Sequence, residues 1–204
     1  ALRGYPEIVY EVKEDYINFD DSKVYGIEMD LQTNFAYLPK PLDGFVLNVN
    51  FTILNSTTYS YIYMPYLYYD TDLRRNVFVP DSSYYDESET NLPDQVDLTT
   101  NVSLGYDYRG FSIRLSAIYQ APYLKNYNSK GRTLEDAELN NIYVDSYLRF
   151  DASISQKIGK HLTILGNFSN ISAETEREYR WSSNFFTKEN RYAGSFDIGL
   201  LYQF

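Results

Sequence analysis

The chain has 204 residues, including 23 tyrosines and 12 phenylalanines, and its formal net charge at pH 7 is -10. The negative charge argues against a nucleic-acid partner, and the lack of cysteine excludes disulfides, thiol chemistry and cysteine-bound metal. No apolar stretch approaches the roughly 18 residues that a transmembrane helix requires.

Alternating apolar and polar residues predict β-strands along most of the chain, because successive side chains of a strand point to opposite faces. Residues 1–22 are polar and weakly patterned, and we interpret them as an extracellular loop or a partial strand. The seven predicted strands cover about 24–38, 45–56, 96–108, 111–123, 144–158, 161–171 and 192–204. One face of these strands is apolar or aromatic, and the other carries mainly small uncharged residues.

The predicted connections alternate in length along the chain. Short turns fall at 39–44, 109–110 and 159–160, whereas long polar loops fall at 57–95, 124–143 and 172–191. Transmembrane β-barrels have this asymmetry, with short periplasmic turns and long extracellular loops. Soluble β-sandwiches also alternate, but their solvated face usually carries more lysine. The sequence therefore favours an all-β, antiparallel transmembrane barrel.

The last predicted strand ends on an aromatic residue, and every second residue before it is apolar. The residues on this face are Phe196, Ile198, Leu200, Tyr202 and Phe204. This strand resembles the C-terminal strand of bacterial outer-membrane β-barrels, and the resemblance implies that the barrel-assembly machinery recognises it. We expect the first four of these side chains to face lipid and Phe204 to lie on the periplasmic side.

An ordered set of short motifs resembles the β-barrel of TonB-dependent receptors. The set consists of Val24–Glu28, the Leu38-Pro39 and Leu42-Asp43-Gly44 turn, Leu92–Gln95, Gly110–Ser116, Tyr147–Ser153 and Asn167–Ser172. The resemblance implies that residues 23–204 are the C-terminal portion of a larger barrel of the 22-stranded type. It also implies an outer-membrane location, uptake of a siderophore, vitamin or glycan, and contact with lipid. The expected protein partners are the rest of the barrel, a plug domain and a TonB-type energy-coupling protein.

Candidate ligand contacts lie in the first long loop and on the polar face of the strands. Aromatic loop residues stack on sugars or planar chelates, and cationic residues in the lumen either contact ligand or pair with other charges. These candidates are Tyr61, Tyr63, Tyr66, Tyr68, Tyr69, Arg114 and Arg149. His161 is interpreted as a turn residue, and the acids of the loop at 57–95 fit no calcium-loop spacing. We predict no catalytic residue, metal site or cofactor.

Two further functions stay open at this point. One is a barrel that serves as a structural or interaction component of an outer-membrane complex without a ligand of its own. The other is a soluble β-sandwich that acts as a binding module.

Overall fold

The computed structural model of the chain describes residues 22–63, 66–79, 85–128 and 134–204. Apart from Ser22, the predicted segment 1–22 lies outside the described residues. The described elements, in chain order, are β1 (Lys23–Asn34), a 3-10 turn (Leu42–Gly44), β2 (Phe45–Tyr63), β3 (Tyr66–Asp70), β4 (Arg75–Val79), β5 (Tyr85–Thr90), β6 (Leu98–Tyr108), β7 (Phe111–Gln120), β8 (Tyr123–Asn126), α1 (Leu134–Glu138), β9 (Ile142–Val144), β10 (Tyr147–Ile158), β11 (Leu162–Ser169), β12 (Thr175–Tyr179), β13 (Phe186–Arg191) and β14 (Ser195–Tyr202).

Seven of these strands form one antiparallel sheet in the order β1-β2-β6-β7-β10-β11-β14. They correspond to the seven predicted strands, and the prediction of an all-β antiparallel fold is confirmed. β2 runs for 19 residues, and its C-terminal part, from Thr58 to Tyr63, pairs with β5. β1 and β14 form the two edges of the main sheet and do not pair with each other in the described structure. The sheet is therefore open.

The three short connections lie at one end of the main sheet. Arg109 and Gly110 form a two-residue hairpin turn between β6 and β7, with φ values of +48° and +82°. Two consecutive positive φ values define the turn type that matches the twist of paired strands. Gly159, at φ +64°, serves the turn between β10 and β11.

The long connections at the other end were predicted as loops, and that prediction is wrong for much of their length. β8, β9, β12 and β13 form a second antiparallel sheet in the order β13-β12-β9-β8, which we call the loop sheet. β3 and β4 form a separate hairpin. These strands are only three to six residues long, so alternation did not reveal them.

Several predicted strands also extended too far. The strand predicted at 24–38 ends at Asn34, and the one predicted at 192–204 covers Ser195–Tyr202. The strand predicted at 111–123 ends at Gln120, because Pro122 has no backbone N–H to donate to a sheet. The strand predicted at 144–158 begins at Tyr147, since the backbone N–H of Asp145 donates to Arg177 O of the loop sheet at 2.9 Å.

The few buried residues do not lie beneath the apolar face of the main sheet. They include Leu124 and Ala137 in one of the long connections, and Ser56 and Ser60 in β2. The apolar face of the sheet itself is exposed; Leu115, for example, is 51% accessible. A soluble β-sandwich would bury that face against a second sheet, and no described element covers it.

The turn at Arg109–Gly110 yields a first prediction. Gly110→Val places a β-branched side chain at φ +82°, and the left-handed conformation costs such a residue roughly 1–2 kcal/mol or more. We expect a lower folded fraction in heat-modifiability gels. Arg109→Asn is the matched control, because asparagine tolerates positive φ. Equal folding of both variants would contradict this interpretation of the turn.

Candidate functional site

The strand register places mainly apolar residues on one face of the main sheet and mainly polar or small residues on the other. A row of apolar partners crosses six strands through Leu47, Leu104, Leu115, Ala152, Phe168 and Phe196. One residue further along each strand, a row on the opposite face passes through Val46, Gly105, Arg114, Ser153, Asn167 and Asp197. We call the first side the outer face and the second side the inner face.

The candidate residues of the terminal strand lie along the outer face. Phe196, Ile198, Leu200 and Tyr202 are 56%, 67%, 72% and 57% exposed. Phe196 stacks on Phe168 of β11 with ring centroids 4.7 Å apart. Phe204 follows the end of β14 and contacts Tyr202 edge-on at 5.2 Å. These aromatic and aliphatic side chains form one continuous exposed strip.

The two candidate arginines lie on the inner face, and each is paired with a carboxylate. Arg114 donates from both terminal nitrogens to Asp107, at 2.9 Å and 2.6 Å. Its guanidinium crosses β6 directly above Gly105, where an added Cβ would approach Arg114 Nε to 2.6 Å. Arg149 donates from Nε to Asp151 at 3.0 Å. Neither arginine presents an unpaired charge to a ligand.

Asp151 has a second role at the far end of the inner face. Its Oδ1 accepts the backbone N–H of Asn170 at 2.8 Å. Asn170 is buried and has a positive φ of +54°, and its side chain in turn binds the backbone of Glu174 and Tyr192. The Arg149–Asp151 pair thus helps to position the start of the loop between β11 and β12.

Of the candidate tyrosines, only Tyr69 has a described side chain, and it lies on a different sheet from the arginines. The side chains of Tyr61, Tyr63, Tyr66 and Tyr68 lie outside the described part of the structure, although their backbones belong to β2 and β3. Tyr69 is 56% exposed and lies on the separate β3–β4 hairpin. Ligand contact by these residues therefore stays a prediction.

Paired charges connect different strands of the loop sheet. Glu178 Oε1 accepts hydrogen bonds from Lys125 at 2.8 Å and from Lys188 at 3.2 Å. The hydrogen bond from Lys125 is the main cause that lowers the pKa of Glu178 below its ordinary value. Glu189 accepts from Arg177 and Arg191, and Arg191 is the main cause of its lowered pKa. Both carboxylates are therefore ionised at neutral pH.

A pocket of about 400 Å³ lies between the main sheet and the loop sheet, and we call it the tyrosine pocket. Tyr143 and Tyr179 stack there with ring centroids 5.5 Å apart and ring planes 18° apart. Further lining residues are Asn91, Gln95, Asp97 and Tyr123. Burial raises the pKa of Tyr123 and of Tyr179, so both keep their hydroxyl protons at neutral pH.

Sequence reasoning missed the tyrosine pocket, because its residues come from four separate segments. Leu92–Gln95 was recognised only as a family motif, and Tyr143 and Tyr179 fell in predicted loops. The described residues contain no group of His, Asp and Glu that could hold a metal ion. Within the same residues, no helix is long and apolar enough to cross a membrane.

Comparison with known proteins identifies the family. A family described as "TonB dependent receptor-like, beta-barrel" matches residues 7–171. The chain belongs to this family. No curated protein and no solved structure matches the chain at the level required of a relative.

Membership of the TonB-dependent receptor-like family explains the two faces of the sheet. Proteins of this family are outer-membrane transport receptors of Gram-negative bacteria, and they form β-barrels whose outer surface contacts lipid. The exposed apolar row on the outer face fits lipid, and the inner face fits a polar lumen. The long connections and the tyrosine pocket lie at the end of the sheet opposite the tight turns.

The difference between the faces can be tested with two adjacent residues of β7. Leu115→Arg on the outer face should destabilise the receptor barrel by about 2–4 kcal/mol, because an arginine near the middle of the bilayer contacts hydrocarbon. Ser116→Arg on the inner face is the matched control, and we expect it to assemble normally. The measurement is the amount of folded protein in purified outer membranes. A loss with Ser116→Arg but not with Leu115→Arg would reverse the assignment of the faces.

Proposed function

We propose that the chain forms the C-terminal portion, residues 23–204, of an outer-membrane receptor for TonB-dependent uptake of a scarce nutrient. The nutrient belongs to the siderophore, vitamin or glycan class. Membership of the family supports transport, and the exposed apolar outer face opposite a polar inner face is the structural observation that carries the proposal. No covalent chemistry is part of this function.

The open edges of the main sheet support further strands in the complete barrel. In the described structure, β1 and β14 each leave one side of their backbone without a strand partner. An unpaired strand edge is not stable in hydrocarbon, because no water is present to bind its N–H and C=O groups. The remaining barrel strands are therefore proposed as partners. Membership of the family supports two further proposed partners, a plug domain in the lumen and a TonB-type energy-coupling protein.

Uptake by whole cells tests the transport proposal. Deletion of the gene should abolish uptake of one labelled nutrient among ferric siderophores, cobalamin and oligosaccharides. Deletion of the energy-coupling protein should abolish uptake of the same nutrient. Unchanged uptake of all three classes in the first strain would favour a structural or interaction barrel instead. Complementation with the intact gene is the control for effects on neighbouring genes.

We also propose that the terminal strand is the segment read during barrel assembly. The strand presents an exposed strip of aromatic and aliphatic side chains, formed by Phe196, Ile198, Leu200, Tyr202 and Phe204. Next to this strip, the backbone N–H of Gln203 donates a hydrogen bond to His161 O at 2.8 Å. Apolar residues alternate along β14, and Phe204 contacts Tyr202 edge-on, so the strip suits a partner with an apolar surface.

Removal of the last ring tests this role. Phe204→Ala should reduce the folded barrel in the outer membrane, since transfer of a phenylalanine side chain from water to an apolar surface is worth about 1.5–3 kcal/mol. Gln203→Ala is the matched control, because it leaves the backbone contacts of Gln203 intact. Folded yield is measured by heat-modifiability gels of membrane fractions. Equal yields from the two variants would reject the proposed role of Phe204.

A further inference from the structure

The tyrosine pocket contains polar atoms that its own structure leaves without partners. Gln95 Nε2, a donor, and Asp97 Oδ1, an acceptor, are both buried and make no hydrogen bond within the described residues. The other carboxylate oxygen of Asp97, Oδ2, accepts a long hydrogen bond of 3.3 Å from Asn91. A buried polar group without a partner costs free energy, so such groups are usually satisfied by a bound molecule or by water.

The position of Asp97 directs its side chain to the lumen. Its backbone O accepts the N–H of Leu54 at 2.8 Å, which continues the pairing of β6 with β2 by one residue. Asp97 therefore shares the inner face with Thr99 and Asn101. The pocket lies at the junction of this wall with the loop sheet, where a ligand entering the receptor meets both.

The stacked tyrosines supply a second kind of contact. Tyr143 and Tyr179 are register partners of β9 and β12, so the backbone of the loop sheet fixes their stacking. A tyrosine ring offers an apolar face and a hydroxyl at its edge. The C–H face of a sugar ring packs on such a surface, while its hydroxyl groups both donate and accept hydrogen bonds.

The charge of the pocket selects among ligand classes. None of its described lining residues is a lysine or an arginine, and Asp97 brings a carboxylate. Lys125, which adjoins the pocket in sequence, is already bound to Glu178. An anionic chelate or a uronic acid would meet an uncompensated negative charge, since a buried charge without a partner is costly.

From these observations we infer that the tyrosine pocket binds a neutral, hydroxyl-rich ligand of the oligosaccharide class, with its ring on Tyr143 and Tyr179 and a hydroxyl group donating to Asp97. The inference rests on the proposed function, because it names the ligand class of that receptor. Gln95 donates to a second oxygen of the same ligand. Asn91 holds the Asp97 carboxylate in place.

The test uses the full-length receptor in detergent and an array of neutral oligosaccharides with their uronate counterparts. The wild-type receptor should bind at least one neutral oligosaccharide more tightly than its uronate form. Asp97→Asn should weaken that binding by about tenfold, as expected for a hydrogen bond to a charged group. The same variant should reduce the discrimination against the uronate, and a purely structural role of Asp97 would not have this effect.

Three variants control the experiment. Tyr179→Ala should lose binding, whereas Tyr179→Phe should retain most of it because the ring remains. Glu28→Gln removes a carboxylate from the inner-face side of β1, outside the pocket, and should leave affinity unchanged. Heat-modifiability gels establish that each variant is folded.

The inference is overturned if no neutral oligosaccharide binds, if uronates bind more tightly, or if Asp97→Asn and Glu28→Gln behave alike. Failure of this inference is distinguishable from failure of the proposed function. If gene deletion abolishes siderophore or cobalamin uptake and no oligosaccharide on the array binds, the transport proposal is supported and the sugar pocket is rejected. Binding on the array with unchanged uptake in the deletion strain keeps the pocket and rejects transport.

Discussion

The fold depends on a register that is maintained through six consecutive strand pairs of the main sheet. A slip of one residue at any pair would move every side chain of the following strands to the opposite face. Two local features fix the register between β6 and β7. The two-residue turn at Arg109–Gly110 fixes which residues pair, and Gly105 leaves the space across which Arg114 reaches Asp107. Both the apolar outer face and the polar inner face follow from that constraint.

The main strands could be predicted because apolar and polar residues alternate along each of them, and this two-residue period is visible within a single segment. The loop sheet could not. The sequences of β12 and β13 alternate in charge rather than in hydropathy, and their stability comes from partners distant in sequence. Lys125 and Glu178, for example, are 53 residues apart. No local pattern identifies such a pair before the fold is known.

The candidate site illustrates the same limit. Alternation placed Arg114 and Arg149 on the polar side of their strands, but it gave no information on which carboxylates lie within reach. The chain has 23 tyrosines, and aromatic content alone favoured the segment in which they lie closest together in sequence. Tyr143 and Tyr179 are 36 positions apart in sequence, and only the register of β9 with β12 brings their rings together.

The distribution of paired and unpaired polar groups underlies the proposed location of ligand recognition. Along the inner wall, Arg114 and Arg149 are neutralised by acids of the same sheet. In the loop sheet, Glu178 and Glu189 are each shared by two cations. Charges paired in this way stabilise the scaffold and have little capacity to attract an ion. The unpaired oxygen of Asp97 differs from them, because it lies beside a rigid aromatic surface and has no cation among its described neighbours. In the proposed binding mode, selectivity at this position comes from hydroxyl geometry and from exclusion of negative charge, which is consistent with the net charge of -10 that the chain carries.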